Sequence, residues 1–201
     1  MPFVPEVRLF LAGEVTPLWR ATEGWLVGND VPPPFWAFAW AGGQALARYL
    51  LDTPHVVRGA RVLDFASGSG LVGIAAARAG AAHVAAVDID PFSAAACALN
   101  GAENGVMLEV SCEDLTGRVL AGVDVVTAGD IWYEAAAAKR FGPWFQELAR
   151  AGVRVITADP GRSYVPVDGV RELARYEVPT PEDLEGTAHR TTRVLEVVAG
   201  A

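Results

Sequence analysis

The residues best placed to do chemistry sit in two short stretches, LDFASGSGLVG (63–73) and HVAAVD (83–88). Gly68, Gly70 and Gly73 are spaced as GxGxxG at a strand-to-helix turn, where glycine lets backbone approach a ligand and take positive φ without penalty. Alone, that spacing suggests a nicotinamide dinucleotide, although alanine- and glycine-rich helix starts also produce it by chance. Asp64, four positions before Gly68, points to another nucleotide. A carboxylate there repels a pyrophosphate and attracts the ammonium of an amino-acid moiety, directly or through water. S-Adenosylmethionine fits this better, having a cationic sulfonium, an amino group and no phosphates. Asp88, which closes the second stretch, is placed to accept hydrogen bonds from both ribose hydroxyls and serves either cofactor. Strand-end or helix-cap carboxylates are the plain structural alternative for each aspartate.

From Arg61 onward, short β-branched runs alternate with alanine-rich helical runs, the pattern of a parallel sheet covered by helices on both faces. Strands are expected at 61–65, 83–88, 107–110, 123–129 and 152–159, and helices at 71–80 and from Asp90-Pro91 to Asn104-Gly105. Helical sequence from Glu134 is expected to break at Gly142-Pro143, with Phe141, Phe145 and Leu148 on one face. GVRELAR (169–175) reads as a brief helix, followed by YEV and TTRVLEVVA (191–199) as antiparallel neighbours. Before Arg61 the convincing helix is GGQALARYLLD. The fold class is therefore α/β: a Rossmann-like, seven-strand, mostly parallel sheet with an antiparallel last strand and helices on both faces. One domain over 1–201 is expected, with 1–58 covering the cofactor site and 59–201 forming the core.

The 201 residues, 52% of them apolar, suffice for a substantial core. A net charge of −8 argues against a nucleic-acid surface. Every apolar run is interrupted by charge, glycine or proline, and MPFVPEVRLF lacks the features of a signal peptide. Cys97 and Cys112 form no metal knuckle with the scattered histidines at 55, 83 and 189. The expectation is a cytoplasmic protein without membrane, metal or nucleic-acid partners.

Asp64, Ala66, Gly68 and Gly70 resemble the (D/E)xGxGxG motif of the seven-strand S-adenosylmethionine-dependent methyltransferases, with Ala66 replacing its first glycine. Alanine costs little there unless positive φ is required. The terminal hairpin also fits that fold. The resemblance implies cofactor contacts from Asp64, Ala66, Ser67, Gly68, Ser69 and Gly70 on the turn, and from Asp88 and Ile89 after the second strand. It further implies adenine contacts from Cys112 and Glu113, with Glu113 on the exocyclic amine. In GDIWYE (129–134), Asp130 and Tyr133 match the (D/E)xx(Y/F) pattern of the subgroup that methylates lysines on folded proteins. Gly129 then borders the cofactor. Asp130 and Tyr133 become the catalytic pair, orienting an amine whose reference pKa of about 10.4 demands local help. Trp132 joins Tyr133 in an aromatic slot for the lysine stem. The competing structural reading is a helix N-cap at Asp130 with two core aromatics.

Taken together, PFWAFAWAGGQALARYLLD, VLDFASGSGLVGIAAARAGAAHVAAVDIDP, AGDIWYE and ADPGRSY are similar, in order and spacing, to the electron transfer flavoprotein β-subunit lysine methyltransferases and their bacterial relatives. The similarity is weakest over the first 15 residues and from Val165 to Thr187. It implies protein N6-lysine methylation, with the flavoprotein β subunit as substrate. It also implies that Trp40 packs against the methionine part of the cofactor, Trp36 forms a second wall, and Arg162 in DPGR contacts substrate. A satisfied Asp-Arg turn explains Arg162 equally well. The alternative functions are methylation of a small nicotinamide-like amine and, from the bare glycine spacing, an NAD-dependent oxidoreductase.

Overall fold

The computed structural model describes residues 3–12 and 33–199. Its strands are β1 (Arg61–Phe65), β2 (His83–Asp88), β3 (Glu109–Cys112), β4 (Val125–Gly129), β5 (Arg154–Asp159), β6 (Val170–Pro179) and β7 (His189–Val197). They form one sheet in the order β3-β2-β1-β4-β5-β7-β6. β1 to β5 are parallel, and β7 enters antiparallel between β5 and β6. This is the seven-strand architecture expected above. The chain builds outward from β1 to β3 and then returns to lay β4 on the other side of β1. Crossovers that diverge in this way leave a crevice beyond the carboxyl ends of β1 and β4.

Among the described residues the α-helices are α1 (Ala41–Asp52), α2 (Leu71–Arg78), α3 (Pro91–Glu103), α4 (Ala135–Arg150) and the single turn α5 (Glu182–Glu185). Period-two alternation sorts the strand residues between two cores. Val62, Val125 and Ile156 pack with Leu46 and Leu50 of α1 and Val72 and Ala76 of α2. Their neighbours Leu63, Val126 and Val155 pack with Trp144, Phe145 and Leu148 of α4. Leu46, Leu50 and Phe145 are fully buried, each contributing on the order of 1.5–3 kcal/mol through lost apolar surface. α1, although within the leading 58 residues, is thus an integral part of one face of the sheet.

Two elements differ from the sequence reading. Residues 169–175 are not helical: Gly169 is a bend, and the rest belong to the edge strand β6. A register shift between Glu172 and Ala174 inserts Leu173 as an extra residue. That bulge breaks the alternation and gives Val170, Leu173 and Ala174 the i, i+3, i+4 spacing of a helix face. α4, for its part, runs unbroken through Pro143. Proline there forfeits the bond to the Lys139 carbonyl, yet the residue before it is Gly142, which has no Cβ to clash with the proline ring. The buried Trp144, Phe145 and Leu148 hold the following turns in place. β3 also begins two residues later than expected, leaving Met107 exposed.

Candidate active site

β1 delivers the chain into the glycine turn with Ala66 at φ 52°, followed by Gly68 at 53° and Gly70 at 80°. Positive φ is therefore required at Ala66, and the alanine is not innocuous: a left-handed L-residue costs roughly 1–2 kcal/mol. A Cβ on Gly70 would sit 3.2 Å from Cα and Sγ of Cys97, the fully buried α3 residue beneath the turn. Burial pushes the Cys97 thiol up to about 12, and its Sγ packs under the turn 3.3 Å from the Ser67 hydroxyl. Above Gly68, the nearest atom of the described residues is the Trp36 Cα, 3.9 Å from an added Cβ, so among them the space is open.

Asp64 is buried, and both its oxygens point inward. Oδ2 accepts the Gly73 amide at 2.8 Å and Oδ1 the Thr127 hydroxyl at 3.1 Å. Gly73 is the third residue of α2, so Asp64 caps that helix from the preceding strand. Burial raises its pKa to about 7, against the pull of the Gly73 and Thr127 bonds and with a further push from Asp88. The carboxylate expected to face an ammonium is thus committed to the helix under the turn. Asp88 lies at the mouth instead, half-exposed, its Oδ2 accepting from the Gly68 amide at 2.9 Å and Oδ1 from the Asp90 amide at 3.0 Å. Beside it Ile89 is exposed, the Cys112 thiol donates to the Ile89 carbonyl, and the Glu113 amide donates to the Asp88 carbonyl. The Glu113 carboxylate turns outward onto Arg118 at 2.8 Å.

The aromatic stretch crosses this edge from one end to the other. Trp36 stacks on Phe92 of α3 at 6.1 Å, on the Asp88 side. Phe35 meets Tyr133 at 5.6 Å on the far side and Trp40 at 6.0 Å. The half-exposed Trp40 occupies the N-cap of α1, with its indole N–H donated to the Phe35 carbonyl at 2.9 Å. Asn100 of α3 and its C-cap residue Asn104 anchor the N-terminal segment. Asn100 accepts the Phe10 amide at 2.7 Å and donates to the Ser69 carbonyl at 2.8 Å, tying that segment to the glycine turn. Asn104 exchanges two hydrogen bonds with the Arg8 backbone. Residues 12 and 37 are then joined by the Ala12 amide on the Ala37 carbonyl.

Beyond β4 the glycine pair of α1 permits a close approach. A Cβ on Gly129 would lie 2.8 Å from the Gly43 Cα, and one on Gly42 2.5 Å from Asp130 Oδ2. Asp130, at φ 54°, accepts the Gly43 amide on Oδ2 at 2.7 Å and the Arg162 guanidinium on Oδ1 at 2.6 Å. It caps α1 from 87 residues away. Arg162 sits among three carboxylates, with Asp159 Oδ2 at 3.3 Å and Glu185 Oε1 at 3.5 Å completing the set. Asp159 Oδ1 fixes the turn by accepting the Gly161 and Arg162 amides, both at 2.7 Å. Burial opposes the charge on Arg162, but Asp130 and then Asp159 and Glu185 outweigh it and raise its pKa. Burial likewise raises Asp159 and Glu185. Tyr133 is 48% exposed, with its phenol raised by partial burial and by the charges of Glu134 and Asp88.

Curated relatives decide the family. The electron transfer flavoprotein β-subunit lysine methyltransferase of Xenopus laevis is 39% identical over 88% of this chain and 73% of its own. That of Mus musculus is 36% identical over 96% of this chain and 76% of its own. The chain belongs to this family. It is accordingly an S-adenosylmethionine-dependent methyltransferase. The profile of a neighbouring family, described as ribosomal protein L11 methyltransferase (PrmA), matches residues 44–138. Among solved structures, the fold is shared with magnesium protoporphyrin IX methyltransferase from Synechocystis PCC 6803 with bound S-adenosylmethionine. That likeness has a TM-score of 0.58 at 18% identity, covering 96% of this chain and 88% of that one.

Within this methyltransferase the anticipated site residues divide by position. Trp36, Ser67, Gly68, Ser69, Gly70, Asp88 and Ile89 gather at the β1 and β2 ends, with Cys112 and Glu113 next to them. Gly129, Asp130, Tyr133 and Arg162 gather at the β4 and β5 ends, with Trp40 on the bridge between. Trp132 is a correction. Only 1% exposed, it faces away from the crevice, donates its indole N–H to Thr157 at 3.3 Å and meets Phe145 edge-on. Ile131 and Trp132 both turn into the core after β4, and Tyr133 is left half-exposed. Sequence reasoning missed Asn100, Thr127, Glu185 and the structural use of Gly42 and Gly43. The visible signals were a glycine pair inside a helix start and asparagines four apart at the end of one helix.

Proposed function

We propose that this methyltransferase modifies the N6 nitrogen of lysine on the β subunit of an electron transfer flavoprotein, acting as one domain whose leading segment covers the cofactor. The observation carrying this reading is that Asp130 and Tyr133 stand at the switch-point crevice of a chain in this family. When bound, S-adenosylmethionine supplies a methyl group on a sulfonium leaving group. The residues at the crevice suit it: each Asp88 oxygen uses one acceptor position on a backbone amide, leaving capacity for ribose hydroxyls. Ile89 with Cys112 and Glu113 would flank the adenine, and the open space over Gly68, bounded by Trp36, lies where backbone is least obstructed. Ala66, Ser67, Ser69 and Gly70 shape that turn, Gly129 borders it, and Trp40 would wall the methionine end.

The acceptor side is assigned to Asp130, Tyr133 and Arg162. Asp130 and Tyr133 orient the amine along the line of transfer, where positioning supplies most of the rate and the lysine proton leaves to water. The half-exposed rings of Tyr133 and Phe35 give the aliphatic stem an aromatic lining at the rim. This accessible rim favours a side chain presented by a folded protein over a small enclosed amine. We also place the protein in the cytoplasm, where its unpaired Cys97 and Cys112 suit a reducing compartment. The test is intact-mass and peptide mass spectrometry of purified flavoprotein β subunit, and of nicotinamide, after incubation with enzyme and S-adenosylmethionine. Methyl increments on a lysine are expected; methylated nicotinamide with an unmodified protein refutes the assignment.

A further inference from the structure

Asp130, the residue assigned to the acceptor lysine, is already engaged by a cation. Its side chain is 13% exposed, and Arg162 lies 2.6 Å from Oδ1 while the Gly43 amide holds Oδ2 at 2.7 Å. A lysine ammonium arriving beside Arg162 would meet like charge in a partly desolvated place. The amide cannot yield, because it is helix backbone. The guanidinium can, because a second seat stands next to it. Nη2 is 3.5 Å from Glu185 Oε1, and that oxygen, on a residue more than nine-tenths buried, has no hydrogen-bond partner among the described residues, although the Ala41 amide also acts on the Glu185 carboxylate. Arg162 keeps Asp159 in either position, since Nη1 already contacts Asp159 Oδ2 at 3.3 Å. The charges agree: among the described residues, Asp130, Asp159 and Glu185 pair with Arg162 and Arg190, three carboxylates to two guanidiniums, which leaves room for one further cation.

We infer that Arg162 is a built-in stand-in for the substrate lysine, seated on Asp130 while the acceptor site is empty and displaced onto Glu185 when lysine enters. This rests on the lysine-methyltransferase reading. It makes Glu185, on the β6–β7 connection, a positioning residue that sets how readily the site opens. The guanidinium keeps Asp130 oriented and excludes weakly held amines; only an acceptor with enough contact elsewhere displaces it.

Steady-state methyl transfer to the flavoprotein β subunit tests this. Glu185→Gln weakens the second seat and should raise the acceptor KM roughly fivefold, the worth of one partly buried ion pair, with affinity for S-adenosylhomocysteine unchanged. Arg162→Gln should lower the acceptor KM by a similar factor. An unchanged KM in Glu185→Gln, or a raised one in Arg162→Gln, overturns the inference. A crystal structure of Asp130→Asn needs no acceptor: the amide oxygen keeps the Gly43 bond and turns an NH₂ toward Arg162, which should move into hydrogen-bond distance of Glu185. A guanidinium still at residue 130 refutes the second seat. If the wild type methylates no flavoprotein, the functional reading fails, and the Asp130→Asn structure still decides the two-seat arrangement.

Discussion

Replacing Gly42 or Gly43 by alanine tests the close approach of α1 to the ends of β4 and β5, where Asp130 and the Ala158 carbonyl lie against Gly42. Both lie in the first turn of α1, where alanine improves helix propensity by at most about 1 kcal/mol. At Gly43 the new methyl meets, among the described residues, only the Leu71 Cδ2 at 4.0 Å. At Gly42 it collides with the Ala158 backbone carbonyl oxygen and falls 2.5 Å from Asp130 Oδ2, an oxygen held by the Gly43 amide on a carboxylate that also holds Arg162. Overpacking costs roughly 1–3 kcal/mol, and losing a hydrogen bond to a charged group roughly 1.5–3 kcal/mol. After the propensity gain, Gly42→Ala should be destabilised by about 2–4 kcal/mol. For a chain of this length that lowers the melting temperature on the order of 5–10 °C. Gly43→Ala should be neutral or slightly stabilised. Differential scanning calorimetry of the two variants, with methyl transfer measured on each, is the assay. Gly42→Ala melting at or above wild type, or Gly43→Ala falling as far, would refute the close-approach argument.

Asn100→Ala leaves the Phe10 amide and Ser69 carbonyl without their partner and should cost about 2–4 kcal/mol; isothermal titration should show weaker S-adenosylhomocysteine binding as the glycine turn loosens. Trp132→Phe should lower stability while leaving the acceptor KM near wild type, because the indole packs in the core; a large KM change with unchanged melting would restore Trp132 to the substrate slot. Asp64 sets a pH dependence with a definite sign. Its pKa rises from 3.8 to about 7 on folding, so the native state holds this proton more tightly. Its contribution to stability is greatest below about pH 4 and is lost as pH rises toward 7. Melting temperatures of wild type minus Asp64→Asn should therefore fall across that window, and a flat or rising difference would contradict the burial argument.

Much of the fold was legible because its signals are local. RVLDF and HVAAVD have the run length and branching of buried strands, and Asp90-Pro91 opens α3 through an aspartate side chain that accepts the Phe92 amide. β6 was hidden because a single inserted residue, Leu173, gives a strand the spacing of a helix. The continuity of α4 was hidden because proline normally breaks a helix, whereas here Gly142 removes the clash with the preceding side chain and buried Trp144, Phe145 and Leu148 hold the turns that follow.

The sequence by itself determined the alternation of strands and helices, the glycine turn after β1 and the placement of Asp88, Asp130 and Tyr133 at strand ends. Those follow from chain periodicity and backbone sterics, which neighbouring residues settle among themselves. Only the tertiary structure decided where the side chains point. Asp64 turns down onto α2, Trp132 turns into the core, and Asp130 faces Gly43, 87 positions away. A carboxylate's direction follows from whichever donors and charges surround it. In this chain those partners come from helices and loops that meet only when the sheet is complete.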